Sequence, residues 1–299
     1  MATGAGKGGV DAALVRRLER LSIAEIVSAA AAGGAPWPLR RLVELVARAP
    51  SRRLARTLAR FDADVGAKGL HAAARDVLFA LGAALDVQGP VPSRGPVLLV
   101  TNHPGAYDSL AMMAALGRDD VALVAAETKM LGAMPHVGDH LVFVADSRTR
   151  GSAPARAAGL RRALDLLARG GALVQYGAGA IEPDAKFLRR GDDLLGTWWE
   201  GTGALVRRAT SLGAAVVPAF VSGVHSQRAK RLPFVRYAEA RGITTIAPLV
   251  QATVPGFRDV RVTVRFGAPV ERSQIADAET NARRTALVRA AVAALHHPR

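Results

Sequence analysis

The chain has 299 residues, of which 50% are hydrophobic and 22% are charged, and this composition excludes a disordered or fibrous protein. It has no cysteine, which excludes a disulfide framework, thiolate metal sites and a cysteine nucleophile. The formal net charge of +15 favours an anionic partner, but 8 Phe, 3 Trp and 3 Tyr are few for stacking single-stranded bases. We therefore expect an anionic membrane surface as partner and no nucleic acid.

The first 88 residues have the pattern of a basic, amphipathic helical segment. Apolar residues recur at helical spacing over 39–46, and Pro50 predicts the end of that helix, with Ser51 capping the next one. Residues 37–75 contain eight Arg and one Lys against three acidic residues. Two interpretations stay open for this segment: peripheral binding to an anionic membrane, or a helical subdomain with a solvated arginine face.

No transmembrane or export signal is visible in the sequence. A spanning helix needs about 20 predominantly apolar residues, and charged residues interrupt every apolar stretch before that length. Glu25 interrupts any apolar core of a signal peptide. These features predict a cytoplasmic protein that is peripheral on the inner face of the membrane.

From Gly89 onward, short apolar runs alternate with helical stretches. The predicted strands are Val97–Thr101, Val121–Ala126, Leu141–Ala145, Ala172–Tyr176, Val216–Val221 and Val260–Phe266. The predicted helices are Ser109–Leu116, Ala155–Ala168, Leu194–Leu212 and Asn281–Leu295. The alternation predicts an α/β domain over 89–299, a mixed sheet flanked by helices, after the helical segment 1–88. Polar residues alternate with apolar ones in Val260–Phe266, which predicts an exposed or edge strand.

The strongest chemical signal follows the first predicted strand, where residues 102–108 read Asn-His-Pro-Gly-Ala-Tyr-Asp. Ligands of α/β sheets gather at the carboxyl ends of strands, and a histidine there is placed for acid–base chemistry near neutral pH. Asp108 follows His103 by five residues across a tight turn, so its carboxylate can fold back and set the imidazole tautomer. The alternative is structural: Asp108 only caps the next helix, and His103 is only a turn residue.

This run resembles the Asn-His-x4-Asp motif of the glycerolipid and lysophospholipid acyltransferases, the family of the 1-acylglycerol-3-phosphate acyltransferases. Three further blocks resemble that family and occur in its order. They are an apolar strand ending in an acidic and a basic residue at Leu141–Arg148, a glycine-containing block at Gly170–Gly179, and a strand with an embedded proline at Val216–Gly223. The resemblance covers roughly residues 89–270.

The resemblance implies transfer of a fatty acyl group from a thioester, acyl-CoA or acyl carrier protein, to a hydroxyl of a lysophospholipid, glycerolipid or related lipid. His103 would be the general base and Asp108 its orienting partner, without a cofactor or a metal. The residues that the resemblance implies for substrate binding are Asn102, Gly105, Tyr107, Arg148, Gly177, Gly179 and Glu182.

The third block departs from the family pattern Phe-Pro-Glu-Gly-Thr-Arg. Aligned on Gly179, the positions of the family's Glu and Arg hold Ala178 and Ile181. In the family these two side chains help to form the acceptor site, the Arg by contacting phosphate. Glu182 is the candidate replacement for the carboxylate and Arg148 for the phosphate contact. The alternative is an acceptor that has no terminal phosphate there.

Other kinds of site find less support in the sequence. His136 and His140 are four residues apart, but Pro135 and Gly138 argue against a helix between them, so no metal site is predicted. The chain also lacks a Gly-x-Ser-x-Gly elbow and a phosphate-binding loop. The remaining alternative function is a non-catalytic basic α/β module that binds membrane or nucleic acid, which would have no need of the His103–Asp108 pair.

Overall fold

The computed structural model describes residues 10–144, 153–188, 191–241 and 246–296. Within these ranges one mixed sheet has the strand order β1-β7-β6-β2-β5-β3-β4, and the α/β prediction is confirmed. The strands are β1 (Ala83–Gln88), β2 (Val97–Thr101), β3 (Val121–Ala126), β4 (Leu141–Val144), β5 (Ala172–Tyr176), β6 (Ala215–Ser222) and β7 (Val260–Phe266). All neighbouring strands are parallel except β6 and β7, which are antiparallel.

The helices of the described ranges cover both faces of the sheet. They are α1 (Ala12–Ala32), α2 (Trp37–Lys68), α3 (Leu70–Ala80), α4 (Asp108–Leu116), α5 (Pro135–Gly138), α6 (Ala153–Ala168), α7 (Glu200–Ser211), α8 (Gln227–Lys230), α9 (Pro233–Glu239), α10 (Ile246–Thr253), α11 (Arg272–Asp277) and α12 (Asn281–Ala293). Leu99 of β2 joins the core under α2, α3 and α4, whereas its neighbours Leu98 and Val100 join the core under α6, α7 and α12. Because β2 is covered on both faces, its sequence is a continuous apolar run.

The prediction that Pro50 ends a helix is wrong. Helix α2 runs through Pro50, and Ser51 lies buried inside it with its Oγ 3.2 Å from the Ser22 Oγ of α1. A proline inside a helix removes one backbone hydrogen bond, but α1 packs along α2 and contacts it next to that position, at Ser22 and Ser51. None of the helices in the described ranges is long and apolar enough to cross a membrane.

The sheet differs from the prediction in two of its strands, β7 and β1. Strand β7 is not an edge strand, because it pairs with β1 on one side and with β6 on the other. Its alternating sequence reflects burial of Val260, Val262 and Val264 on one face, while the intervening residues are exposed or half-buried. Strand β1 was not predicted, and it comes from the residues before position 89, so the sheet takes a strand from the front segment.

A short helix also forms where none was expected. Pro135 occupies the first turn of α5, a position where its missing N–H costs nothing. His136 and His140 nevertheless take different partners. The Nδ1 of His136 lies 3.1 Å from Asp62 Oδ2, and the Nδ1 of His140 donates to the Val121 carbonyl at 2.9 Å.

Candidate active site

Strands β2, β5 and β6 are parallel, so their carboxyl ends meet at one edge of the sheet, called here the carboxyl edge. Asn102 is fully buried directly after β2, and its side chain bonds Val221 of β6 twice. Its Nδ2 donates to the Val221 carbonyl at 2.8 Å, and its Oδ1 accepts from the Val221 amide at 2.7 Å. These bonds anchor the chain where the strand ends, and both polar atoms of the Asn102 side chain are buried in the protein.

His103 and Asp108 form the hydrogen-bonded pair that their spacing predicts. The Nδ1 of His103 lies 2.7 Å from the Asp108 Oδ2, which also accepts from the Gly105 amide at 2.8 Å. Gly105 and Ala106 adopt left-handed backbone conformations, with φ of 79° and 53°, and these reverse the chain between the two side chains. Asp108 is the first residue of α4 and not its cap, because its carboxylate turns back toward the histidine.

The pair has the arrangement of a histidine base held by a carboxylate. Asp108 is 2% exposed and the His103 side chain is 26% exposed. Because a carboxylate accepts the Nδ1–H, the neutral imidazole carries its lone pair on Nε2. Nε2 bonds none of the described residues. The His103 Nε2 is therefore available to take a proton from a bound hydroxyl.

The electrostatics of the site favour the protonated form of His103. Burial by itself would lower the pKa of His103, but the charge of Asp108, its hydrogen bond and the charge of Glu182 act in the opposite direction. The net result is a pKa above the ordinary histidine value. The imidazolium that forms when the base takes a proton is thus stabilised by the protein.

Tyr176, the last residue of β5, packs its ring against the imidazole of His103. Its ring centroid lies 4.3 Å from that of His103, and its hydroxyl lies 2.8 Å from Ser109 Oγ. Ser109 Oγ in turn donates to Asp108 Oδ1 at 3.2 Å. Burial raises the pKa of Tyr176 well above its ordinary value, so the phenol is neutral. The sequence does not indicate that Tyr176 lies against His103, because this contact depends on β5 being the neighbour of β2.

Glu182 holds the backbone of the histidine turn. Its Oε2 accepts from the His103 amide at 2.8 Å, and its Oε1 accepts from the Gly196 amide and from Trp198 Nε1 at 2.8 and 3.0 Å. The Glu182 amide donates to the His103 carbonyl at 2.7 Å. The side chain is buried and accepts three N–H donors, so its contacts are within the protein, and the substrate-binding role that the resemblance implies stays a prediction.

Two of the other predicted substrate-binding residues, Gly177 and Gly179, use their amides within the protein, and Tyr107 is buried. Tyr107 is buried in the core, and burial raises its pKa to about 12. The Gly177 amide donates to the Thr101 carbonyl at 3.0 Å, and the Gly179 amide donates to the Tyr176 carbonyl at 3.3 Å. Both glycines therefore shape the loop after β5. Arg148 lies outside the described residues, and its predicted phosphate contact stays a prediction.

A second histidine–aspartate pair lies at the carboxyl edge. His225 follows β6, and its Nδ1 is 3.4 Å from the Asp184 Oδ2, with both side chains buried. Asp184 also accepts from the Gly223 and His225 amides at 2.8 and 3.2 Å. Burial would raise the pKa of Asp184, but the nearby His225 side chain and the Gly223 and Lys186 amides lower it. This pair connects the loop after β5 to the end of β6.

Comparison with known proteins gives a structural similarity and no match to a family model or a curated sequence. No protein-family model matches the chain, and no curated protein matches its sequence. The chain is similar to the crystal structure of the 1-acyl-sn-glycerophosphate (LPA) acyltransferase PlsC from Thermotoga maritima, with a TM-score of 0.42 and 15% sequence identity. The alignment covers 96% of this chain and 100% of that chain.

Proposed function

We propose that the protein is a lipid O-acyltransferase. It moves a fatty acyl group from a thioester, acyl-CoA or acyl carrier protein, to a hydroxyl of a lysophospholipid, glycerolipid or related lipid, without a cofactor or metal. The observation that carries the proposal is the His103–Asp108 pair at the carboxyl edge, with Nδ1 bonded to a buried carboxylate and Nε2 unbonded by any described residue.

The chemistry follows from the tautomer. His103 Nε2 accepts the proton of the substrate hydroxyl while the hydroxyl oxygen forms a bond to the thioester carbonyl carbon. The tetrahedral intermediate collapses as the carbon–sulfur bond breaks, and the imidazolium returns its proton to the leaving thiolate. The ester and the free thiol are the products. Asp108 keeps the Nδ1–H in place throughout and stabilises the transient positive charge.

The rival proposal is a non-catalytic basic module that binds membrane or nucleic acid. The net charge of +15 is its main support. A binding module has no use for a partly exposed imidazole that is bonded to a buried carboxylate, beside a second buried carboxylate that bonds its amide. The catalytic proposal therefore accounts for more of the site.

The test is thiol release from a long-chain acyl-CoA with a panel of hydroxylated lipid acceptors. We expect His103→Ala to lower turnover by about 10²–10⁴-fold, the usual contribution of a general base. His136→Ala is the matched control, since His136 also pairs with an aspartate, Asp62, but lies just before β4, at the opposite edge of the sheet. Near-wild-type turnover by His103→Ala would overturn the mechanism.

A further inference from the structure

Two apolar side chains stand exposed beside the histidine turn. Ile181 is 53% exposed, although the next residue, Glu182, is buried and bonded to His103. The Ile181 side chain lies over Gly105, close enough that a Cβ added to that glycine would come within 3.3 Å of the Ile181 Cγ2. Ile181 therefore covers the turn that separates His103 from Asp108.

Trp199 extends the same surface. Its side chain is 62% exposed, whereas the neighbouring Trp198 is buried and its Nε1 donates to Glu182. The Trp199 amide donates to the Gly177 carbonyl at 3.4 Å, and its ring lies next to Gly179, 3.4 Å from a Cβ placed there. Ile181 of the loop 177–182 and Trp199 next to Gly179 are thus both exposed, and we call these two side chains the apolar rim.

Two carboxylates lie at the histidine turn, those of Asp108 and Glu182. Among the described residues, the charges that act on the pKa of His103 are the carboxylates of Asp108 and Glu182. A phosphate beside the reacting hydroxyl would be repelled by both carboxylates. It would also lose water against the exposed side chain of Ile181. A hydrocarbon chain gains from contact with the same surface, because exposed apolar area is removed from water.

We propose that the apolar rim selects an uncharged hydroxylated lipid as the acyl acceptor. The hydrocarbon of the acceptor lies on Ile181 and Trp199, and a hydroxyl with no adjoining phosphate reaches the His103 Nε2. This inference rests on the proposed acyltransferase function and adds the acceptor class to it.

The test compares two acceptors that differ only in the phosphate, 1-oleoylglycerol and 1-oleoylglycerol-3-phosphate, with oleoyl-CoA as donor. We expect the wild type to have the higher kcat/KM for the uncharged acceptor. Ile181→Arg places a guanidinium on the histidine turn and should move the ratio of the two kcat/KM values at least tenfold toward the phosphorylated acceptor. The matched control is Leu212→Arg, which adds the same charge at an exposed apolar position at the far end of α7. This control should leave the ratio unchanged.

The outcomes separate the inference from the proposed function. A wild type that prefers the phosphorylated acceptor, or a ratio that Ile181→Arg does not move, overturns the inference, provided that transfer still depends on His103. A preference for phosphate that Arg148→Ala removes would overturn it as well and would assign the phosphate contact to Arg148. Absence of any His103-dependent transfer overturns both proposals. If Ile181→Arg does not fold, Trp199→Arg tests the same surface.

Discussion

His103 interacts with two carboxylates, and this sets the pH range in which its imidazole works as a base. Asp108 bonds its Nδ1, and Glu182 bonds its backbone amide. The charges of both raise the pKa of His103 against the effect of burial. A general base must be neutral to accept a proton, so activity is lost as the pH falls through this raised pKa. We expect the acid limb of the kcat/KM profile to lie above pH 6.5, the ordinary pKa of histidine.

Removal of the Glu182 charge should shift that limb. In Glu182→Gln one of the two charges that raise the pKa of His103 is gone, so the limb should move to lower pH. Trp198→Phe is the comparison, because it removes the indole donor to the same Oε1 but leaves the negative charge. A purely structural role for Glu182 would lower turnover without moving the limb. An unchanged profile in Glu182→Gln would contradict the electrostatic role, and thermal unfolding of both variants controls for loss of fold.

At the scale of the residue, the sequence predicts the hydrogen-bonded pair of His103 and Asp108 but not the contact of Glu182 with the His103 amide. The five-residue spacing of His103 and Asp108 is local, so a single turn is enough to bring them together. Glu182 is 79 residues from His103, and nothing in its neighbourhood indicates that its carboxylate is buried against a distant amide. The resemblance implies that Glu182 binds substrate, whereas in the structure its carboxylate accepts from the His103 amide and holds the histidine turn.

At the scale of the element, the loop after β5 carries the positioning contacts. Gly177 directly follows β5 and lies against the buried ring of Trp198. A methyl group added at Gly177 would lie 2.2 Å from two carbons of that ring. Trp198 cannot move aside freely, because its Nε1 bonds Glu182 at 3.0 Å. The glycine is thus required by a close approach to a side chain.

We expect Gly177→Ala to lower the free energy of unfolding by about 1–3 kcal/mol, the usual cost of overpacking a core. Turnover should fall as well, since displacement of Trp198 disturbs the Glu182 contact. Urea denaturation with a constant m value measures the first effect. Gly201→Ala is the control, because a Cβ there meets no atom within 4 Å and alanine favours a helix. If Gly177→Ala unfolds at the same urea concentration as the wild type, the packing explanation for Gly177 is contradicted.

The elements themselves were predicted unevenly, for physical reasons. β2 and β5 are predominantly apolar, because both faces of the central sheet are covered, and their predicted bounds match the structure. β1 is an edge strand, and five of its six residues are exposed or half-buried, so its sequence lacks a strong strand signal. The helix predicted to start at Leu194 begins at Glu200, since the residues before it bond Glu182.

At the scale of the whole molecule, the front helices combine charge with exposed apolar surface. Trp37, Leu42, Leu45 and Val46 of α2 are each more than half exposed, and the Arg41 guanidinium lies 5.4 Å from the Trp37 ring centroid. The second half of α2 is different, because its apolar residues are buried against α1 and the sheet. The first half of α2 is thus an unpartnered amphipathic surface among the described residues.

We expect this half of α2 to bind anionic bilayers peripherally. Apolar side chains such as Trp37 and Leu45 can enter the interface while the neighbouring arginines meet lipid phosphates. Each basic residue near an anionic surface contributes about 1 kcal/mol, and salt screens this attraction. The protein should therefore sediment with phosphatidylserine-containing vesicles at low salt and less at high salt, and less with uncharged vesicles.

Two substitutions separate membrane binding from general charge. Leu45→Ser removes an apolar group that is 62% exposed, so it should reduce vesicle binding without loss of thermal stability. Phe79→Ser is the matched control, because Phe79 is 86% exposed on α3, outside the first half of α2. Equal recovery in the supernatant with and without vesicles would contradict the prediction. Tighter binding to duplex DNA than to anionic vesicles would favour the non-catalytic basic module, because the charge would then act without the apolar surface.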